Sequence, residues 1–187
     1  MKPLFLFSLA LACAAAVSAD AAAQPARFGP SVEAGVGISA GAGGRFTHRV
    51  GGALYAVLAV PLHHTSAGAV VLAVTGTGNG PVAVDDVCVI GPDSECIEDY
   101  PTFMSLGLAA GVQRRQASGL STRLLAGPAY YQAVDGPDTW GLQGRVDLAR
   151  PLAFRTAIVA SVRGTLLPRY EGETLGFAAF GLGLRIQ

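Results

Sequence analysis

Residues 174–187 alternate with a period of two. Phe180, Leu182, Leu184 and Ile186 fall on one face; Ala179, Gly181, Gly183, Arg185 and Gln187 fall on the other. Successive residues of a strand point to opposite sides, so this is a strand with two unlike surroundings. The bulky face needs an apolar medium. The other face, small and carrying an arginine, must look into something narrow and polar. A soluble barrel or sandwich keeps its bulk inside and its charge outside. A membrane barrel reverses this and turns its bulk toward lipid. The other strands decide between the two.

Mean hydropathy is positive, +0.44, which ordinarily points to membrane helices. No stretch past the N-terminal segment supplies the ~18 uncharged apolar residues that a spanning helix needs. That combination favours crossing by strands. Formal net charge is zero, so nothing in the balance suggests nucleic acid as a partner. The N-terminus reads as a secretory signal over 1–19, with Lys2 as its basic start, an apolar run, and a small-residue cleavage site after Ala19 or Ala23. Cys13 lies inside the apolar run and is read as part of the discarded signal rather than as an acylated lipoprotein cysteine. Residues 20–30 form a linker and 31–187 the barrel domain.

Seven further segments repeat the alternation: 31–40, 50–62, 68–77, 103–113, 120–131, 140–149 and 152–166. The clearest is the fourth, where Met104, Leu106, Leu108, Ala110 and Val112 oppose Ser105, Gly107, Ala109, Gly111 and Gln113. Each segment is close to the ~9–11 residues that a tilted strand needs to cross a bilayer. The expected fold is all-β: an eight-stranded antiparallel up-and-down transmembrane β-barrel, closed because an open edge has no water to satisfy it in lipid.

With the chain starting in the periplasm, the outer connections are 41–48, 78–101, 132–139 and 168–173, and the periplasmic turns are 62–66, 114–119 and 150–151. Long outer loops and short inner turns are the rule for such barrels. Phe46, Tyr100, Phe103, Tyr130, Trp140 and Tyr170 then sit near outer strand ends, where an interfacial aromatic girdle is expected. Arg150-Pro151 reads as the tightest turn.

These residues resemble the small eight-stranded outer-membrane barrels of the OmpA and OmpX kind, over about residues 28–187. That family's C-terminal assembly signal is matched at Gly181, Leu184 and Ile186, with Ala179 in place of a polar residue, Ile186 in place of an aromatic one, and Gln187 beyond it. The resemblance implies a monomer among outer-membrane lipids, inserted by the outer-membrane assembly machinery of a Gram-negative-type bacterium, with no cofactor. It also implies a barrel alone, without the family's peptidoglycan-binding domain.

Parity sends Glu33, Arg123, Gln143, Arg145, Asp147, Arg155, Arg163 and Arg185 inward. On the lipid face, mid-membrane charges cost ~2–4 kcal/mol each. Inside, they must pair or meet water. Glu33 and Arg185 face each other across the closing seam if the register allows. A packed polar core is the expectation; an ion path is the alternative.

Two features outside the interior carry candidate chemistry. His64-Thr65-Ser66 matches the His-x-Ser spacing of an eight-stranded lipid A deacylase, with Ala67 where that family has Asn and no assignable Glu. We read it as a polar turn, with a lipid A-modifying enzyme as the alternative. The connection 78–101 holds Asp85, Asp86, Asp93, Glu95, Glu98 and Asp99, no Lys or Arg, and Cys88 and Cys96. An even cysteine pair in an exported chain reads as a disulfide, worth ~2–3 kcal/mol on the loop-entropy account. The carboxylates lack the ordered spacing of a calcium loop, so a solvated, disulfide-braced surface loop is expected and no metal site; binding of a divalent cation or an extracellular partner by this loop is the alternative. The expected role is structural or interactive at the cell surface, through the loops and without enzymatic activity. A soluble periplasmic ligand-binding barrel is the remaining alternative.

Overall fold

The computed structural model describes residues 28–43, 50–66, 68–81, 102–134, 136–153 and 155–187. The signal segment, Phe46, Tyr100, both loop cysteines and the acidic residues between 85 and 99 lie outside these residues. Eight strands follow one another: β1 (Ser31–Gly43), β2 (Val50–Thr65), β3 (Gly68–Pro81), β4 (Phe103–Arg115), β5 (Ser121–Ala133), β6 (Thr139–Ala153), β7 (Thr156–Tyr170) and β8 (Glu173–Ile186). Each pairs antiparallel with its neighbour, and β8 returns to β1, so the sheet closes into a barrel with no free edge. There is no helix among the described residues that is long and apolar enough to cross a membrane.

The period-two pattern fixes which way each strand faces. In β2 and β5 buried and exposed residues alternate almost without a break. The outward face is apolar on all eight strands: Val36, Leu54, Val74, Leu106, Leu124, Leu142, Val162 and Leu182 are each exposed by 39% or more. A soluble monomer rarely shows a contiguous apolar patch beyond about 300–600 Å². An apolar wall right round a barrel is the exterior of a protein surrounded by lipid.

The strand ends depart from the sequence reading. Arg150 and Pro151 do not form a turn. They continue β6, which runs to Ala153, and the register shifts between Pro151 and Ala153. A bulge tolerates a residue with no N–H to give, which is why proline is admitted there. The same device recurs on β2, where the register shifts between Pro61 and His63. Moving the β6–β7 turn places Arg155 in it, exposed, and not in the interior. The segment expected as a loop at 168–173 is instead strand up to Tyr170, followed by a two-residue turn, Glu171-Gly172. Both turn residues have positive φ, 49° and 85°. That is the turn whose twist matches two antiparallel strands.

The chain therefore has two ends. One, the turn end, carries the short β2–β3, β4–β5 and β6–β7 turns. The other, the loop end, carries the remaining connections, including the long one between β3 and β4. Phe28, expected in the linker, is buried with the interior residues, and the Arg115 guanidinium carbon lies 5.5 Å from its ring centre at the turn end.

Candidate functional site in the barrel interior

β1 and β5 lie on opposite walls of an eight-stranded barrel. β1 contributes Glu33 and its neighbour β8 contributes Arg185, which stand directly opposite each other across the closing seam. β5 contributes Arg123 and β6 Asp147, again directly opposite each other. Arg145 lies two residues from Asp147 and so on the same face of β6. The interior of such a barrel is just wide enough for these side chains to meet.

They form one network. Arg123 donates from Nε to Asp147 Oδ2 at 2.8 Å and from Nη2 to Glu33 Oε2 at 2.5 Å. Arg185 donates from Nε to Glu33 Oε2 at 3.0 Å and from Nη2 to Asp147 Oδ2 at 3.3 Å. Arg145 donates from Nε to Asp147 Oδ1 at 2.5 Å and also bonds to Glu33 Oε1. Each carboxylate thus takes all three guanidiniums, and each arginine spans both carboxylates. Side-chain exposure is 5% for Arg145 and 0% for the other four. Ser31 and Ser121 accept further bonds from Arg123 and Arg185. The network is a brace across the barrel with three cations on two anions.

Toward the loop end the interior carries mostly uncharged polar groups, with Arg163 among them, and then aromatic ones. Gln143 on β6 donates to Thr75 Oγ1 on β3 at 2.5 Å, Thr77 and Ser105 share a hydrogen bond of 2.5 Å, and Arg163 bonds to Asn79 Oδ1. Above them Phe103 stands edge-on to Tyr170, with centroids 5.3 Å apart, and tilted against Phe177 at 5.4 Å. Leu167 and Leu175 complete this cap. Phe103 and Tyr170 are therefore not interfacial girdle residues: they are 1% and 2% exposed and point inward. Phe103 shares the inward parity of Ser105. For Tyr170 the register shift between Leu167 and Tyr170 resets the face.

Of the other expected girdle residues, Tyr130 and Trp140 are exposed on the outward face at the loop end. Their rings pack edge-on at 5.4 Å, and the Tyr130 hydroxyl donates to Asp138 at 2.5 Å. In the expected assembly signal, Leu184 and Ile186 face outward and Gly181 faces in.

One interior group has no counterpart among the expected site residues. The ring of Tyr55 lies against β1 and β8 where they carry Gly35, Gly181 and Gly183. A Cβ on Gly35 would stand 2.5 Å from the ring, and one on Gly181 2.7 Å. The Arg145 guanidinium carbon sits 4.0 Å from the centre of the same ring, a cation–π contact. Alternation placed Tyr55 inside, and it placed the glycines inside. What it could not show is the register that sets Gly35, Gly181 and Gly183 together at the seam, beside a ring from β2.

A void lined by Tyr55, Arg145, Ser161 and Arg163 measures about 10 Å³, room for one water. His63, His64 and Ser66 are exposed at the turn end, and Thr65 Oγ1 closes that turn on the Gly68 carbonyl at 3.3 Å. The described carboxylates lie in the interior (Glu33, Asp147) or at the opposite end (Asp138, Glu171, Glu173). A histidine–serine–carboxylate relay is thus not assembled among the described residues, and neither is a cluster of three or more metal-ligating side chains.

No protein-family model matches the chain, and no curated protein matches its sequence. Among solved structures it is similar to Neisserial surface protein A, with a TM-score of 0.65 and 14% identity, over 85% of this chain and 97% of that one. The fold is that of a small eight-stranded outer-membrane β-barrel. Two structures of Ail, the attachment invasion locus protein of Yersinia pestis, are also similar. Ail alone gives a TM-score of 0.45 at 13% identity, and its complex with the heparin analogue sucrose octasulfate gives 0.43 at 14%. Each covers 85% of this chain and 100% of Ail.

Proposed function

We propose that this chain is an integral outer-membrane protein that acts at the cell surface through its loop end, with the barrel as a closed stem. The observation that carries the reading is the filled interior. A charged brace, a hydrogen-bonded polar layer and an aromatic cap follow one another along the axis, beside a void of about 10 Å³. On this reading the described interior side chains hold the barrel closed, and it provides neither a solute path nor a ligand cavity of the several hundred Å³ that small molecules occupy. Activity then belongs to what the barrel displays. The acidic connection between β3 and β4, with Cys88 and Cys96 as its brace, is the longest segment at the loop end and the first candidate for an extracellular partner. Tyr130 and Trp140 fix the depth of the outer interface. We read the protein as a monomer without cofactor or catalytic site.

The test combines fractionation with digestion. The protein should sediment with outer membranes and migrate differently before and after boiling. Protease added to intact cells should cut between residues 82 and 101 and leave the strands on either side protected. Release into the soluble periplasmic fraction, without a heat-dependent change in mobility, would overturn the reading.

A further inference from the structure

The carboxylates outside the brace are sorted along the barrel axis. Among the described residues, the side-chain carboxylates outside the brace are Asp138, Glu171 and Glu173, all at the loop end. The turn end has none and carries Arg114, Arg115, Arg150 and Arg155, all exposed. Two of these arginines are on the lipid-facing side. Arg114 follows the outward Val112 on β4 and pairs with Thr122 on β5. Arg150 stands on the outward face of β6 between Leu148 and Leu152, which are 46% and 60% exposed, and its ladder partner on β7 is Ile158. In the register, Thr122 pairs with Arg114 on one side and with Leu148 on the other. The two arginines are therefore two strands apart, roughly 10 Å across the sheet and one repeat, about 7 Å, along it.

A guanidinium in that position has an apolar wall behind it and, on the bilayer reading proposed above, lipid in front. Its stem lies along the wall and its head reaches for the interface, where the nearest anions are headgroup phosphates. A phosphate accepts paired N–H groups from arginine in a planar fork. We infer that Arg114 and Arg150 form a binding collar for anionic glycerophospholipids in the leaflet at the turn end. The collar fixes the register of the barrel in the bilayer from below, as Tyr130 and Trp140 do from above.

The full chain is refolded into vesicles of phosphatidylcholine, with or without a minor fraction of phosphatidylglycerol of the same acyl length, and unfolded with urea. The expected result is greater stability with phosphatidylglycerol, by roughly fivefold in the folding equilibrium constant for each arginine. The gain should fade at high salt. Arg114→Gln with Arg150→Gln should remove most of it, whereas Arg169→Gln, exposed near the loop end, should keep it. Equal stability of the wild type in both lipids, or a gain that survives the double substitution, overturns the collar. Equal stability is also the result expected if the turn end engages a cell-wall polymer instead. Failure to enter either vesicle would strike the bilayer reading itself, so the two failures are distinguishable.

Discussion

Glu33 and Asp147 each accept from three arginines, and that imbalance makes the five residues unequal. Losing one partner of a buried ion pair costs about 3–5 kcal/mol, because the remaining charge is stranded. Asp147→Asn leaves three guanidiniums on one carboxylate. Arg145→Met leaves two on two and keeps much of the packing over Tyr55. Urea unfolding in detergent micelles should therefore rank Asp147→Asn as the more damaging by at least ~1–2 kcal/mol. Equal losses, or the reverse order, would mean that interior water balances the network. Trp140 is the only tryptophan in the chain, exposed by 66% on the outward face. Its fluorescence should be quenched more by lipids brominated near the carbonyl end of the acyl chain than by lipids brominated near the methyl end. The opposite order would remove Trp140 from the interface.

At the scale of the strand, the closing seam depends on absent side chains. A Cβ on Gly181 would meet the Tyr55 ring first, whereas one on Gly35 or Gly183 would meet both Tyr55 and a cross-strand backbone carbonyl. Gly181→Ala should cost about 1–3 kcal/mol through overpacking. In a Tyr55→Ala background most of that cost should vanish, because the obstacle is a side chain. Gly37→Ala should not be rescued, because there the obstacle is the backbone at Phe180 and Gly181. Additive losses for Tyr55 and Gly181 would separate the two. Gly181 also occupies a position of the expected assembly signal, so its requirement has a packing cause independent of recognition by the insertion machinery.

Alternation made the strands legible because one face meets lipid and the other a narrow interior, and no soluble arrangement reproduces that contrast. It failed where a bulge resets parity or moves an end. Pro151 reads as a turn residue, yet a register shift keeps it in β6, and Arg155 is carried out of the interior with the displaced turn. Tyr170 reads as a girdle residue from its place near a strand end, and the shift after Leu167 turns it inward. For Phe103, strand-end position was weighed above its own parity. The brace was partly legible: parity placed all five of its charges inside. Closure was legible too, and the register sets Glu33 opposite Arg185 across the seam as expected; what alternation alone could not give is the height along the axis at which Arg123, Arg145 and Asp147 meet that pair.

For the whole molecule, the account makes the barrel a closed stem, and ion flow tests that most directly. A continuous aqueous path would have to pass Phe103, Tyr170 and Phe177 at one end and the five-residue brace further in. Opening it would mean breaking buried pairs, at a cost of several kcal/mol. The decisive measurement is single-channel recording of the purified, heat-modifiable protein in planar bilayers. The account predicts a silent membrane, with no steady step of defined size. A reproducible, size-defined conductance from the folded form would contradict it and would move the function from the loops into the interior.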